Sequence, residues 1–140
     1  MSVAAYACFS AILAAGAVPW VRGSAPERLG GALNLAVALI DILARQIVDH
    51  PALPTMLLTT DGVLAMGFLA LALRYGNLWL GGALMFQATQ FSLHAYYLVT
   101  GRSFDLIHAL VNNLDSYGVA ACILVGAAVS GRSRQAWAAA

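Results

Sequence analysis

The sequence predicts an all-α protein, a polytopic bundle of transmembrane helices that forms one domain over residues 1–140. Hydrophobic residues make up 61% of the chain and charged residues only 9%, whereas roughly 25% of a soluble domain is charged. Five apolar segments follow one another, each close to the ~20 residues that cross a bilayer as a helix. The connections between them are a few residues long, too short to hold a separate catalytic domain.

The five predicted spans are bounded by local stop and start signals. Ser24 and Glu27 have the spacing of a capping box ahead of the second span, and Pro26 suits its first turn. The alternative is four spans preceded by a first helix that lies at the membrane interface. The predicted spans are residues 2–21, 29–48, 54–75, 78–100 and 104–130.

Glycines and capping residues separate the last three spans. Gly76 is placed to end the third span in the left-handed conformation, and Asn77 is placed to cap the fourth. Gly101 closes the fourth span, and Ser103 is the predicted cap of the fifth. Gly131 and a polar tail follow the fifth span.

The arginines predict the orientation of the chain. With the C-terminus in the cytoplasm, five arginines lie inside and only Arg45 and Arg102 lie outside, which the positive-inside rule favours. The sequence therefore predicts a membrane protein with an extracytoplasmic N-terminus and a cytoplasmic C-terminus. Trp20, Trp79 and Trp137 fall near the predicted cytoplasmic boundary, where tryptophan anchors helices at the interface.

Polar side chains gather in the predicted outer half of the membrane. Gln87 and His94 are seven residues apart, so they share one face of the fourth span. Polar residues on the second, third and fifth spans are predicted to lie at a similar depth in the membrane. The candidate binding or proton and ion cluster consists of Asp41, Arg45, Asp61, Gln87, Gln90, His94, His108, Asn112 and Asp115.

Two interpretations of this cluster remain open. Polar groups against lipid cost several kcal/mol, about 2.5–3.5 for Asp or Arg on insertion scales, so the cluster is expected to face the bundle interior. It could be a hydrogen-bond network that fixes helix packing, or a polar cavity that binds a small ligand, an ion or a proton. In either case Arg45 is expected to pair with Asp41 or Asp61.

The histidines raise the question of a cofactor. His94 and His108 lie at similar depth on successive antiparallel spans, an arrangement that can hold haem b between two imidazoles. A zinc site formed with Asp61 or Asp115 has ligands of a suitable type, although no local motif supports it. A quinone beside His94 and Asp61 is a third alternative. The prediction from the sequence is that the chain holds no cofactor, with haem b or a quinone as the alternatives.

The fourth span also carries a sequence pattern, W-x6-F-Q-x6-H, at Trp79, Phe86, Gln87 and His94. This pattern resembles one found in small polytopic inner-membrane proteins of alphaproteobacteria. Asp61 and Tyr117 fit the same scheme, while Leu80 stands where the pattern has proline. The resemblance implies a bacterial inner membrane and assigns no activity.

Three functions are consistent with these features. The first is an accessory or structural subunit of a larger inner-membrane complex, with other membrane subunits or further copies of the chain as partners. The second is a small oligomeric transporter or channel for protons or ions, and the third is a membrane redox protein that binds haem or quinone. No nucleotide, phosphate or nucleophile motif occurs, so no catalytic activity is expected. The near-zero net charge disfavours nucleic acid as a partner.

Overall fold

A computed structural model describes the backbone of residues 3–48 and 52–138 and the side chains of residues 7, 9–48 and 52–131. Within these ranges the protein is all-α, as predicted, and contains no strand. The helices are α1 (Val3–Arg22), α2 (Ala25–Ile47), α3 (Leu53–Tyr75), α4 (Leu78–Thr100) and α5 (Leu106–Ala138).

The five helices form a closed ring. Each packs against its neighbours in sequence, and α5 returns to pack against α1, while α2 and α5 also touch across the centre. Short connections make successive helices antiparallel. We call the end with the α2–α3 and α4–α5 connections the upper end, and the end with the α1–α2 and α3–α4 connections the lower end.

Three of the helices, α2, α3 and residues Leu106–Gly131 of α5, are long and apolar enough to cross a membrane. Large apolar side chains are exposed on the outer surface, including Leu73 and Leu78. The centre is also apolar and draws on all five helices, with Ala15, Leu64 and Phe68 among its buried members. The bundle is therefore apolar outside as well as inside, which is typical of a helical membrane protein.

Most of the predicted helix boundaries are confirmed. The Glu27 carboxylate accepts hydrogen bonds from the Ser24 backbone N–H at 2.7 Å and from the Ser24 hydroxyl at 2.5 Å. This cap starts α2 at Ala25, four residues before the predicted span. Gly76 and Gly101 end α3 and α4 with φ values of 63° and 64°, as expected for glycine in a left-handed cap.

Two boundaries of α5 differ from the prediction. Asp105, not Ser103, caps the helix, because its Oδ1 accepts the backbone N–H of His108 at 2.9 Å and the helix begins at Leu106. At the other end α5 continues past Ser130 and Gly131 to Ala138. Arg, Gln and Ala in the tail favour a helix, and one glycine costs only about 1 kcal/mol, too little to end it.

Trp79, predicted to anchor its helix at the membrane interface, packs against other helices at the lower end of the bundle. Its indole ring lies between two glycines, such that a Cβ on Gly30 or Gly126 would approach it to 2.9 Å or 2.7 Å. Its Nε1–H donates to the fully buried Glu27 carboxylate at 2.9 Å, which also accepts a hydrogen bond from Ser130. These contacts join α2, α4 and α5 at the lower end.

Candidate functional site

The upper half of the ring encloses a cavity of about 700 Å³. Its lining comes from all five helices and extends from Leu64 and Val119 to Arg45 and Asp105. Arg45 lies in the last turn of α2 and Asp105 immediately before α5, so the cavity approaches the upper end of the bundle. Eight of the nine predicted cluster residues line it, and the ninth, Asp115, does not.

Asp61 on α3 is the centre of the hydrogen-bonding network. Its Oδ2 contacts Nδ1 of His94, and both side chains are almost completely buried. The Nε2 amide of Gln87 donates to Asp61 Oδ1 at 3.1 Å. Gln87 and His94 lie two helical turns apart on α4 and therefore both bind the Asp61 carboxylate of α3. These hydrogen bonds explain why the three polar side chains can be buried.

Asp41 on α2 has a different environment. It is half-buried on the cavity wall, and the Thr60 hydroxyl donates to its Oδ1 at 2.6 Å. The predicted ion pair of Arg45 with Asp41 or Asp61 is wrong, because Arg45 is exposed and no such pair forms. His94 takes the place beside Asp61, since α4 packs against α3 at this depth whereas Arg45 lies near the end of α2.

Polar residues of α5 form the opposite wall. The half-buried Gln90 donates from Nε2 to Asn112 Oδ1 at 3.1 Å, which links α4 to α5. His108 is buried, and its ring stacks on Phe104 with the centroids 4.0 Å apart. Asp115 is buried within electrostatic range of Asp61.

Several buried polar atoms near the cavity have no hydrogen-bond partner among the residues that the structure describes. Among the cavity-lining residues they are Nε2 of His94, Nε2 of His108 and Nδ2 of Asn34. Oδ2 of Asp115 is a fourth. A buried polar group left without a partner costs about 1–3 kcal/mol, so this wall of the bundle could gain free energy by contacting a ligand.

The α4–α5 connection forms one edge of the cavity mouth. The Tyr97 hydroxyl donates to Asp105 Oδ1 at 2.5 Å, and Arg102 lies 3.3 Å from Oδ2 of the same carboxylate. The hydrogen bond from Tyr97, reinforced by the His108 backbone N–H and the charge of Arg102, lowers the pKa of Asp105 below its ordinary value. Asp105 is thus an ionised and well-satisfied carboxylate.

Two parts of this site were not predicted from the sequence. Asn34 lies seven residues before Asp41 and so shares its face of α2, a spacing that could have identified it. Phe104 and Asp105 were counted as the start of the fifth span, and a polar residue directly before "LIHAL" was the available sign of a cap.

The geometry does not fit two of the cofactor hypotheses. The His94 and His108 rings lie 5.0 Å apart and are tilted by 48°, and His108 is covered by Phe104. No space for a porphyrin exists between the imidazoles. Across the described residues, no group of three His, Cys, Asp or Glu side chains is arranged to hold a metal ion, so the proposed zinc site is not formed.

Comparison of the chain with family models, with curated proteins and with solved structures finds no match. The resemblance to alphaproteobacterial membrane proteins stays a prediction. The class of protein follows from the fold alone: a helical bundle with three helices able to cross a membrane.

Proposed function

We propose that all five helices cross the bilayer of a bacterial inner membrane, with the upper end facing the periplasm. The closed ring supports this arrangement, because α1 and α4 occupy two of its five places and lie alongside the apolar α2, α3 and α5. Ala15 of α1 and Leu80 of α4 are completely buried in the shared core. The distribution of arginines favours a cytoplasmic lower end.

The protein's function is to bind a small amphipathic molecule in the cavity. The observation that carries this proposal is the cavity itself, about 700 Å³ in volume and lined by residues with unpartnered buried nitrogen atoms. Ligand sites have volumes of about 300–1,000 Å³ and combine apolar walls with a few polar groups. If the polar residues served only to pack the helices, the bundle would not need to contain a cavity of this size. Their buried nitrogen atoms would also be expected to have hydrogen-bond partners.

The packing below the cavity favours binding over continuous conduction. Leu64, Phe68, Leu80, Ala83 and Ile123 are buried between the Asp61 network and the Glu27 network. This apolar layer separates the polar groups of the two ends. The proposal is therefore a binding protein with a cavity open toward one end, and passage of a ligand would need the helices to move.

A binding measurement with matched variants tests the proposed function. Purified protein in lipid nanodiscs is equilibrated with phenyltrimethylammonium, tert-butylbenzene, benzenesulfonate and a short-chain ubiquinone analogue. At least one probe should bind saturably to the wild type. Ala38→Phe, which fills the cavity, should reduce that binding at least about tenfold, since a ligand that clashes with the wall loses several kcal/mol.

The control is Ala70→Phe, which adds the same side chain at an exposed position of α3. It should leave binding unchanged. The proposal is overturned if no probe binds saturably, or if the two phenylalanine variants bind equally well.

A further inference from the structure

The cavity contains more negative than positive side chains. Three carboxylates line it, on Asp41, Asp61 and Asp105, against a single guanidinium on Arg45. His94 and His108 also line it and carry charge only when protonated. A carboxylate that already has partners in the protein is less available to bind a ligand than one that does not.

Two of the three carboxylates are already satisfied within the protein. Asp61 contacts His94 and accepts a hydrogen bond from Gln87. Asp105 receives the Tyr97 hydroxyl and the His108 backbone N–H, and it pairs with Arg102. A ligand would have to displace these partners to reach either group.

Asp41 is different because it has no ion-pair partner among the described side chains. Arg45, one turn away, and His94 act on it only at longer range. Its one hydrogen bond, from Thr60, fixes the carboxylate on the cavity wall without supplying a positive charge. A half-buried carboxylate without a counter-ion strongly favours an approaching cation.

The rest of the wall suits a ligand with an apolar body. Phe9, Ile12, Val37 and Leu64 contribute apolar surface, and Phe104 contributes an aromatic ring. Aromatic rings attract organic cations through their negative faces.

Resting on the binding function proposed above, we infer that the ligand is a lipophilic organic cation and that Asp41 is the residue that recognises its charge. Asp61 does not contact the ligand. Its contacts with His94 and Gln87 hold α3 and α4 together at the cavity wall. The inference assigns the chemical class of the ligand, an ammonium or similar cation on an apolar or aromatic body.

The test uses two probes of equal shape and different charge. Phenyltrimethylammonium and tert-butylbenzene differ by one nitrogen-for-carbon exchange, and neither donates a hydrogen bond. The cation should bind the wild type more tightly than its neutral isostere. Asp41→Asn keeps an oxygen acceptor for Thr60 and should weaken cation binding by about tenfold or more, while leaving the neutral probe unchanged.

Two further variants separate charge recognition from a structural role. Arg45→Gln removes a like charge from the mouth and should tighten cation binding by about two- to fivefold, as expected for an exposed charge. Asp41→Glu should restore part of the affinity that Asp41→Asn loses. If Asp41 had a purely structural role, Asp41→Asn would weaken binding of the neutral probe as much as binding of the cation.

The outcomes distinguish this inference from the function on which it rests. If the neutral or anionic probe binds at least as well as the cation, or if Asp41→Asn binds the cation unchanged, the cation inference is wrong and the binding function stands. If no probe binds saturably, the binding function itself fails.

Discussion

Asp61 is the buried carboxylate at the centre of the contact between α3 and α4. It holds His94 and Gln87 from the neighbouring helix, and each of the three side chains is at most 3% exposed. Removing the carboxylate would strand two buried polar groups at once. The stability of the α3–α4 interface should therefore depend on this residue.

Asp61→Ala is expected to destabilise the protein by about 1–3 kcal/mol for each stranded group, on His94 and on Gln87. Thermal unfolding in detergent, followed by circular dichroism, measures the effect. Thr59→Ala is the matched control, because Thr59 is exposed and its hydroxyl bonds only to the Thr55 carbonyl of the same helix. Equal unfolding temperatures for the two variants would contradict the role given to Asp61.

At the scale of residues, helical spacing predicted which polar groups share a face but not which of them pair. The spacing of Gln87 and His94 placed both on the inner face of α4, and both are buried there. Arg45 was paired with an aspartate on charge alone. Its actual position depends on where α2 ends relative to α3, which residue spacing within α2 does not determine.

Glycines determine how closely the helices of the ring approach one another. A Cβ on Gly118 of α5 would come within 2.5 Å of the Phe86 ring on α4. Gly81, also on α4, has open space around its Cα, with no atom within 4 Å of an added Cβ. The two glycines therefore predict opposite responses to the same substitution.

Gly118→Ala should destabilise the protein by about 1–3 kcal/mol, because the added methyl overpacks the α4–α5 contact. Gly81→Ala should be neutral or stabilise it by about 0.5–1 kcal/mol, since alanine is the better helix former. Thermal unfolding of both variants makes the comparison. A double variant, Gly118→Ala with Phe86→Leu, should recover part of the loss, and failure to do so would show that the clash is not with Phe86.

The cap of α5 should respond to pH. The folded-state pKa of Asp105 lies below its ordinary value of 3.8, chiefly because of the Tyr97 hydrogen bond. The stabilisation is therefore complete above that ordinary value and is lost as the pH falls through the lower, folded-state pKa.

Hydrogen exchange at the His108 amide, which donates to Asp105, should report this change. Protection in the wild type should decline as the pH falls below about 4, after correction for the intrinsic exchange rate. Asp105→Asn should show no such decline. A wild-type amide whose corrected protection is constant over that range would disprove the capping role.

At the scale of elements, local signals predicted helix ends that depend on backbone conformation. Gly76 and Gly101 were identified because a left-handed residue is required where one helix stops and the next begins within a few residues. Ser103 was predicted as the cap of the fifth span, and Asp105, an equally suitable capping residue, was counted inside the span. The choice between them is made by Tyr97, eight residues before Asp105 in sequence, and therefore by tertiary contact.

The five helices in the described part of the chain alternate in direction, so α1 begins at the upper end and α5 finishes at the lower end. If all five helices cross the membrane, Ser103 at the upper end and Ser133 near the end of α5 should lie on opposite sides of it. The roles of an accessory subunit or an oligomer stay predictions, since they concern partners outside the chain.

Cysteine labelling tests the proposed orientation. In a variant with Cys8→Ala and Cys122→Ala, Ser103→Cys should react with a membrane-impermeant maleimide added to intact spheroplasts. Ser133→Cys should react only after the membrane is permeabilised. The reverse pattern would show that the orientation is inverted, and labelling of both positions from one side would rule out five spans.

The apolar layer below the cavity also has an electrical consequence in the proposed orientation. A cavity with polar walls that is open toward the upper end polarises more readily than the apolar layer around Phe68 and Leu80, so most of the membrane potential would fall across that layer. Moving one charge through the full potential is worth about 2.3 kcal/mol per 100 mV. A cation that reached Asp41 from the periplasm would cross only a small part of this field, and its affinity would be nearly independent of voltage.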